Sequence, residues 1–114
     1  MRDPRLYVKE IHSALESILI FTKDYSFDEF QNDDKTSSAV IRKFEIIGEA
    51  AKSVPDAIKT NYPSVPWKSL AGFRDVLIHN YFGIDEELVW TYIKQEVPNL
   101  TQEIERILKE TFNE

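Results

Sequence analysis

Four side chains that can take part in acid–base and phosphate chemistry lie close together in this chain. Arg74 and Asp75 are followed by His79 and Tyr81, in the pattern R-D-x-x-x-H-x-Y. An arginine can bind a phosphate through two parallel hydrogen bonds, and a histidine can move a proton near neutral pH. Together they are the minimum equipment for cleaving RNA without a metal ion. The alternative is that Arg74 and Asp75 are solvated helix residues and that His79 is hydrogen-bonded within a core.

Helix geometry constrains how these four side chains can meet. At about 100° per residue, Arg74 and Tyr81 nearly share a face, and Asp75 and His79 form an i, i+4 pair that can touch. A carboxylate on one imidazole nitrogen raises the basicity of the ring and leaves the other nitrogen for a substrate. Arg74 and His79 are about 140° apart around the axis. They converge on one ligand if Arg74 curls around, if the helix is distorted, or if the site lies in a cleft between subunits.

RNA cleavage gives each of these side chains a possible role. A base must take the proton from the ribose 2′-hydroxyl, and a cation must stabilise the charge that builds on the phosphate oxygens. His79 could be this base, or the acid that protonates the leaving 5′-oxygen, and Arg74 could be the cation. Tyr81 could hydrogen-bond the phosphate or mask the pocket, or it could be a tyrosine at the edge of the core. His12, on the first helix, is expected to be structural.

The composition excludes several other functions. The chain has no cysteine, which excludes disulfides, thiolate metal sites and cysteine nucleophiles. Two histidines are too few for a His-rich metal site, and the sequence contains no Gly-rich phosphate loop, H-E-x-x-H or G-x-S-x-G motif. The N-terminus is charged and amphipathic rather than signal-like, and the longest apolar run, residues 18–21, is far too short to span a membrane. We expect a soluble cytoplasmic protein that needs no cofactor and binds no membrane.

The charge is distributed unevenly along the chain. The net charge of −6 argues against a general nucleic-acid coat, and no DNA binding is expected. Residues 35–84, however, carry seven cations and four acids, whereas the segments before and after them are acidic. This basic central third, which contains the motif, suits a small local phosphate site better than a long RNA track.

The spacing of apolar residues is helical almost throughout, and no strand pattern appears. It predicts a helix from about 3 to 24, then an acidic connector with about one helical turn over 26–36, then a helix from about 37 to 53. A short helix is predicted within 56–62. The next helix begins at Trp67 or Ser69 and carries the motif until Gly83, and Asp85 caps the helix that follows. Pro98 either kinks this last helix or opens a fifth main one. We expect an all-α, up-down bundle of four to five helices in a single domain covering 1–114.

Two features suggest a dimer. Gly48 interrupts an otherwise good helix at a cost of about 1 kcal/mol relative to alanine. Close approach of another helix would explain it, either within the chain or across a subunit contact. The second half of the chain also carries more aromatic area than a slim bundle needs, although an aromatic stripe is more often core than binding surface. The aromatic residues concerned are Trp67, Phe73, Phe82, Trp90 and Tyr92.

The chain resembles the HEPN superfamily and, more closely, the HepT toxins of the bacterial and archaeal HepT–MntA toxin–antitoxin systems. A bare R-x-x-x-x-H is a weak signal because chance matches are common. Here it is embedded in P-W-K-S-L-A-G-F-R-D, residues 66–75, and H-N-Y-F-G-I-D, residues 79–85. R-K-F-E-I-I-G-E-A-A-K, residues 42–52, precedes them in the same order as in the family. The resemblance covers nearly the whole chain.

The resemblance implies an α-helical homodimer with composite sites in a cleft between the subunits. It also implies a metal-independent endoribonuclease in which Arg74 and His79 carry catalysis and Asp75 supports them. The expected partners are an RNA substrate and an MntA-like nucleotidyltransferase antitoxin, which silences the toxin by transferring AMP from ATP to Tyr81. The alternative is a non-catalytic dimeric module whose cleft holds a nucleotide or the partner nucleotidyltransferase, because many HEPN-like proteins bind without cutting.

Overall fold

A computed structural model of the chain describes residues 2–78 and 85–114, with 73–78 described by their helical backbone. These residues contain no strand and form seven α-helices. The helices are α1 (Pro4–Phe21), α2 (Phe27–Asn32), α3 (Asp34–Ser53), α4 (Asp56–Asn61), α5 (Trp67–Ile78), α6 (Glu86–Gln95) and α7 (Val97–Phe112). The all-α prediction is confirmed. The described residues form more helices than the predicted four to five, because two short helices, α2 and α4, occur in addition to five longer ones.

Short polar side chains fix where these helices begin. The Asp3 carboxylate accepts a hydrogen bond from the Arg5 amide at 2.9 Å, and Pro4 follows as the first helical residue. Ser26 and Glu29 form a reciprocal capping box at the start of α2. Asp85 accepts from the Leu88 amide at 3.0 Å and begins α6, as the sequence predicted.

The segment predicted as an acidic connector is more ordered than expected. Asp33 both ends α2 and caps α3, accepting a hydrogen bond from the Thr36 amide at 3.1 Å. Helix α3 therefore begins at Asp34, about three residues before the predicted start. The acidic residues of this segment are helix caps and first-turn residues, whose negative charges the helix dipoles favour.

The core lies where α1 packs against α3 and α7, and α3 also packs against α5. Each helix contributes an apolar stripe at helical spacing. The fully or almost fully buried residues include Ile11, Leu15 and Ile18 of α1, Val40, Phe44 and Ile47 of α3, and Leu100, Ile104 and Ile107 of α7. Burial of each such side chain contributes about 1.5–3 kcal/mol before the entropy cost. This three-helix core is the platform on which α5 and α6 rest.

Of the features that suggested a dimer, Gly48 and three of the five aromatic residues lie among the described side chains, whereas the side chain of Phe73 and all of Phe82 lie outside them. Gly48 is buried within the single chain. Trp67, Trp90 and Tyr92 are partly buried and pack against the core. Among the described residues, no helix is long and apolar enough to cross a membrane.

Candidate functional site

The start of α5, the helix that contains Arg74 and Asp75, is held by contacts with the chain just before it. The Trp67 indole N–H donates to the Tyr62 carbonyl at 3.1 Å, and the Leu70 amide donates to the Pro66 carbonyl at 2.9 Å. Leu70 is buried in the core. The hydroxyl of buried Tyr62 in turn donates to Glu110 on α7 at 2.9 Å. Contacts through Tyr62 therefore connect the first turn of α5 to α7.

Arg74 and Asp75 lie on α5, in its second half. The described part of their structure is the helical backbone, which belongs to the helix that packs against α3. The other two predicted site residues, His79 and Tyr81, lie outside the described residues, as does Gly83, the predicted end of the motif helix. The convergence of Arg74 and His79 on one ligand therefore stays a prediction.

The chain after the motif returns to a well-anchored helix, α6. Trp90 of α6 packs against Phe30 of α2 with ring centroids 5.2 Å apart, and the Lys94 ammonium lies 4.6 Å from the centre of its ring. Tyr92 meets Phe44 of α3 edge-on at 5.8 Å. Residues 79–84 are thus bounded on both sides by helices that the core holds in place.

Burial changes the acid–base behaviour of one group near this region. Partial burial raises the pKa of the Tyr92 phenol, and the nearby Glu96 carboxylate raises it further. Tyr92 therefore stays protonated and neutral throughout the physiological range, so it can act as a hydrogen-bonding group or a ring surface but not as a phenolate.

The surface formed by the described residues includes grooves of different sizes, two of which bear on the site. The larger, about 580 Å³, lies between α1 and α3, and is lined by residues of both charges, including Arg2, Glu10 and Lys43. The smaller, about 300 Å³, lies beside the first turn of α5 and is lined by Pro66, Ser69, Leu88, Thr91, Tyr92 and Gln95, with Glu96. This smaller groove adjoins the helix that carries the motif.

Metal-binding potential can be assessed for the part of the chain that the structure covers. There, no group of three His, Asp or Glu side chains is placed to hold a metal ion. Each nitrogen of the His12 ring faces a different carboxylate. Nδ1 lies 3.5 Å from Glu16, and Nε2 lies 3.2 Å from Glu105. A single ion cannot use both nitrogens of one ring, so this arrangement joins helices rather than forming a metal centre.

Sequence reasoning did not single out two exposed polar side chains at the start of α5, Lys68 and Ser69. Both point away from the core, and neither makes a side-chain hydrogen bond or ion pair with another described residue. The available signal was their position in P-W-K-S-L, six and five residues before Arg74. A free cation and a free hydroxyl on the motif helix are candidates for contacting a charged ligand.

Comparisons with known proteins point to one family. The family model described as "Ribonuclease HepT-like" matches residues 11–107. A Methanocaldococcus jannaschii protein named "Putative RNase" is 46% identical over 113 residues, covering 99% of this chain and 93% of that protein. A Thermococcus cleftensis protein named "Probable ribonuclease HepT" is 42% identical over 108 residues, covering 95% and 98% respectively. No solved structure matches significantly.

An all-α bundle whose fifth helix contains Arg74 and Asp75, the first two residues of the R-D-x-x-x-H-x-Y motif, is therefore a HEPN-type protein. The chain belongs to the HepT-like ribonuclease family, as the match over residues 11–107 shows.

Proposed function

We propose that this protein is a metal-independent endoribonuclease of the HepT type. The observation that carries the proposal is the R-D-x-x-x-H-x-Y motif, which begins on α5 and falls within the family match. In this mechanism His79 moves the proton at the ribose 2′-hydroxyl or at the leaving 5′-oxygen. Arg74 stabilises the phosphate charge, and Asp75 orients the imidazole. The names of the relatives, which describe ribonucleases, support the same chemistry.

The proposed active form is a homodimer with the motif helices facing a cleft between the subunits. The support is geometric, since Arg74 and His79 are about 140° apart on a regular helix and one subunit does not easily bring both to one phosphate. A second subunit can supply the missing group. This arrangement also places the reaction in a cleft, where reduced contact with water strengthens the electrostatic effect of the arginine.

The proposed biological role is that of a toxin neutralised by a nucleotidyltransferase antitoxin, which transfers AMP to Tyr81. The phenol attacks the α-phosphate of ATP, pyrophosphate leaves, and a Tyr81–AMP phosphodiester forms. Its phosphate pairs with Arg74 and its nucleoside fills the cleft, so RNA is excluded without a change of fold. Two other tyrosines have occupied hydroxyls, since Tyr25 donates to Asp33 and Tyr62 to Glu110.

The test of catalysis compares wild type with His79→Ala and Arg74→Ala on single-stranded RNA in buffer containing a metal chelator. Each variant is expected to lose about 10²–10⁴-fold in cleavage rate while keeping the wild-type circular dichroism spectrum and thermal midpoint. Asp75→Asn is expected to lose less, because it keeps a hydrogen bond to the imidazole. If both alanine variants cleave at the wild-type rate, the catalytic assignment is wrong. If wild type binds RNA or nucleotide without cleaving it, the non-catalytic module is favoured.

A further inference from the structure

One flank of α3 carries opposite charges on the two sides of an apolar side chain. Lys43, Ile46 and Glu49 follow one another at intervals of three residues, or about 4.5 Å along the helix axis, with Lys43 and Glu49 turned about 60° to opposite sides of Ile46. Ile46 is partly buried and packs at the edge of the core. All three line the larger groove, between α1 and α3. We call Lys43, Ile46 and Glu49 the α3 flank.

The groove beside the α3 flank is bordered by exposed apolar side chains. Two of the three large apolar side chains that are exposed among the described residues are on α1, Leu6 at 39% and Ile20 at 71%. They lie seven residues before and seven residues after Ser13, which lines the groove, and residues at this spacing are only about 20° apart around a helix. Ala14 and Ala50 also line the groove and are almost fully buried, so they form its floor. The groove can therefore receive side chains from another surface.

The charges in the groove indicate what kind of surface it accepts. Lys43 is partly buried, and its ammonium group makes no hydrogen bond or ion pair with another described residue. Arg2 is held by Glu10 at 2.7 Å and lies over the Tyr7 ring, 4.8 Å from its centre. The carboxylates of Glu10 and Glu49 repel the phosphates of a nucleic acid. A protein surface that carries both charges is the complementary partner.

The order of the charges makes the α3 flank complementary to itself. In a two-fold symmetric pair, when residue i of one subunit contacts residue j of the other, j also contacts i. If two α3 helices lie antiparallel with the symmetry axis at Ile46, the two Ile46 side chains meet. Each Lys43 is then level with the partner subunit's Glu49, because both are three residues from the axis. Long charged side chains join such positions beside the apolar seam of a coiled coil.

Resting on the homodimer proposed above, we propose that the α3 flank and the adjoining groove are the surface on which a second copy of this chain docks. The two α3 helices lie antiparallel, Ile46 is at the symmetry axis, and Lys43 pairs with the partner subunit's Glu49. Leu6 and Ile20 border the contact. Since α5 packs against α3, with axes of packed helices about 8–10 Å apart, the interface helix is the direct neighbour of the motif helix in each subunit.

The first experiment uses the absence of cysteine from this chain. Ile46→Cys places two thiols at the symmetry axis, so a short bis-maleimide reagent is expected to give a covalent dimer on a denaturing gel. Lys109→Cys, at an exposed position on α7, is the matched control and should remain a single chain on the gel. Thr91→Cys examines the smaller groove as the alternative surface. A protein that is dimeric in light scattering but is not cross-linked through Ile46→Cys overturns the proposal, as does preferential cross-linking through Thr91→Cys.

The second experiment reverses the charges of the α3 flank. Lys43→Glu and Glu49→Lys are each expected to raise the dissociation constant of the dimer about tenfold, because each places like charges level with one another across the axis. The double variant Lys43→Glu/Glu49→Lys restores opposite charges and should regain most of the lost affinity. Lys109→Glu is the control and should dimerise like wild type. Sedimentation at several concentrations measures the constants. Single variants that dimerise like wild type, or a double variant weakened by the sum of both changes, contradict the proposal.

RNA cleavage on the same preparations separates this proposal from the ribonuclease proposal. Cleavage lost in the single variants and regained in the double variant supports both. If the variants dimerise as predicted but wild type does not cleave RNA, the docking surface stands and the ribonuclease proposal fails. If wild type cleaves RNA as a dimer that no substitution on the α3 flank weakens, the reverse holds. If the single variants stay dimeric but no longer bind the cognate nucleotidyltransferase, the flank contacts that protein and the proposal is wrong.

Discussion

His12 on α1 and Glu105 on α7 face each other across the bundle, with the imidazole Nε2 atom 3.2 Å from a carboxylate oxygen. The other ring nitrogen lies 3.5 Å from Glu16, one turn further along α1. When the ring is protonated, both contacts are ion pairs, and the one with Glu105 holds α1 to α7. The two histidines of this chain therefore have separable expected roles, one in the bundle and one in the motif.

His12→Ala is expected to lower the free energy of unfolding by about 1 kcal/mol, because it removes packing and a contact between two helices. It should leave the rate of RNA cleavage unchanged. His79→Ala should do the reverse. Chemical denaturation and a cleavage assay on the same preparations check this. A folded His12→Ala protein that no longer cleaves RNA would show that the motif is not the whole catalytic site.

The cap of α3 gives the protein a defined response to acid. The Thr36 hydroxyl, followed by the Tyr25 hydroxyl, donates to Asp33 and lowers the pKa of this carboxyl below its usual value. A carboxyl with a lowered folded pKa stabilises the protein above its unfolded pKa of about 3.9, and this contribution is lost as pH falls through the folded pKa. The difference in thermal midpoint between wild type and Asp33→Asn should therefore shrink below pH 4. Asp24→Asn, at an exposed left-handed position that asparagine tolerates, should show no such convergence.

The aromatic contact between α2 and α6 should contribute much of the stability around the motif. Phe30 is fully buried against Trp90, and Phe30→Ala is expected to cost about 3–5 kcal/mol in urea denaturation. Phe27 is less buried and its ring centroid is 6.3 Å from that of Trp90, so Phe27→Ala should cost clearly less. Equal costs would mean that α2 is not held through Phe30.

Adenylylation at Tyr81 is checked by intact-protein mass spectrometry. Incubation with the cognate nucleotidyltransferase and ATP should add AMP-sized increments to wild type and none to Tyr81→Phe. A Tyr81→Phe protein that still cleaves RNA should resist neutralisation. An adduct on Tyr7, Tyr25, Tyr62 or Tyr92, or the absence of any adduct, would contradict the proposed control.

The oligomeric state is checked by multi-angle light scattering at micromolar concentration, where twice the 13.3 kDa chain mass is expected. Gly48 is buried within one chain, and Trp67, Trp90 and Tyr92 are partly buried, so these residues add little to this prediction. It depends on the spacing of Arg74 and His79 and on the family resemblance. If light scattering shows a monomer and this monomer cleaves RNA, Arg74 must reach the site from the same subunit as His79.

Local signals in the sequence predicted much of the fold. Asp85 caps α6 as expected, and Pro98 lies in the first turn of a separate helix, α7, because proline needs no amide partner there. The start of α3 was placed too late, because Asp33 and Thr36 lie within a polar stretch that has no apolar periodicity. Contacts between distant residues, such as His12 with Glu105 or Tyr62 with Glu110, carry no local signal and could not be predicted.

The candidate site was predicted from residue types alone. Arg74 and Asp75 were recognised because arginine and aspartate beside histidine have a direct chemical use, and both lie on the helix expected for them.

The two tryptophans of the chain flank the motif, with Trp67 in the first turn of α5 and Trp90 on α6. Both are partly buried, and their rings have different surroundings: the Trp67 indole donates to a carbonyl, whereas Trp90 lies between Phe30 and the Lys94 ammonium. Their fluorescence is therefore an intrinsic optical probe of the region between the two helices. Trp67→Phe and Trp90→Phe would each leave a single emitter, so that ligand binding on one side of the motif could be followed in real time without a dye.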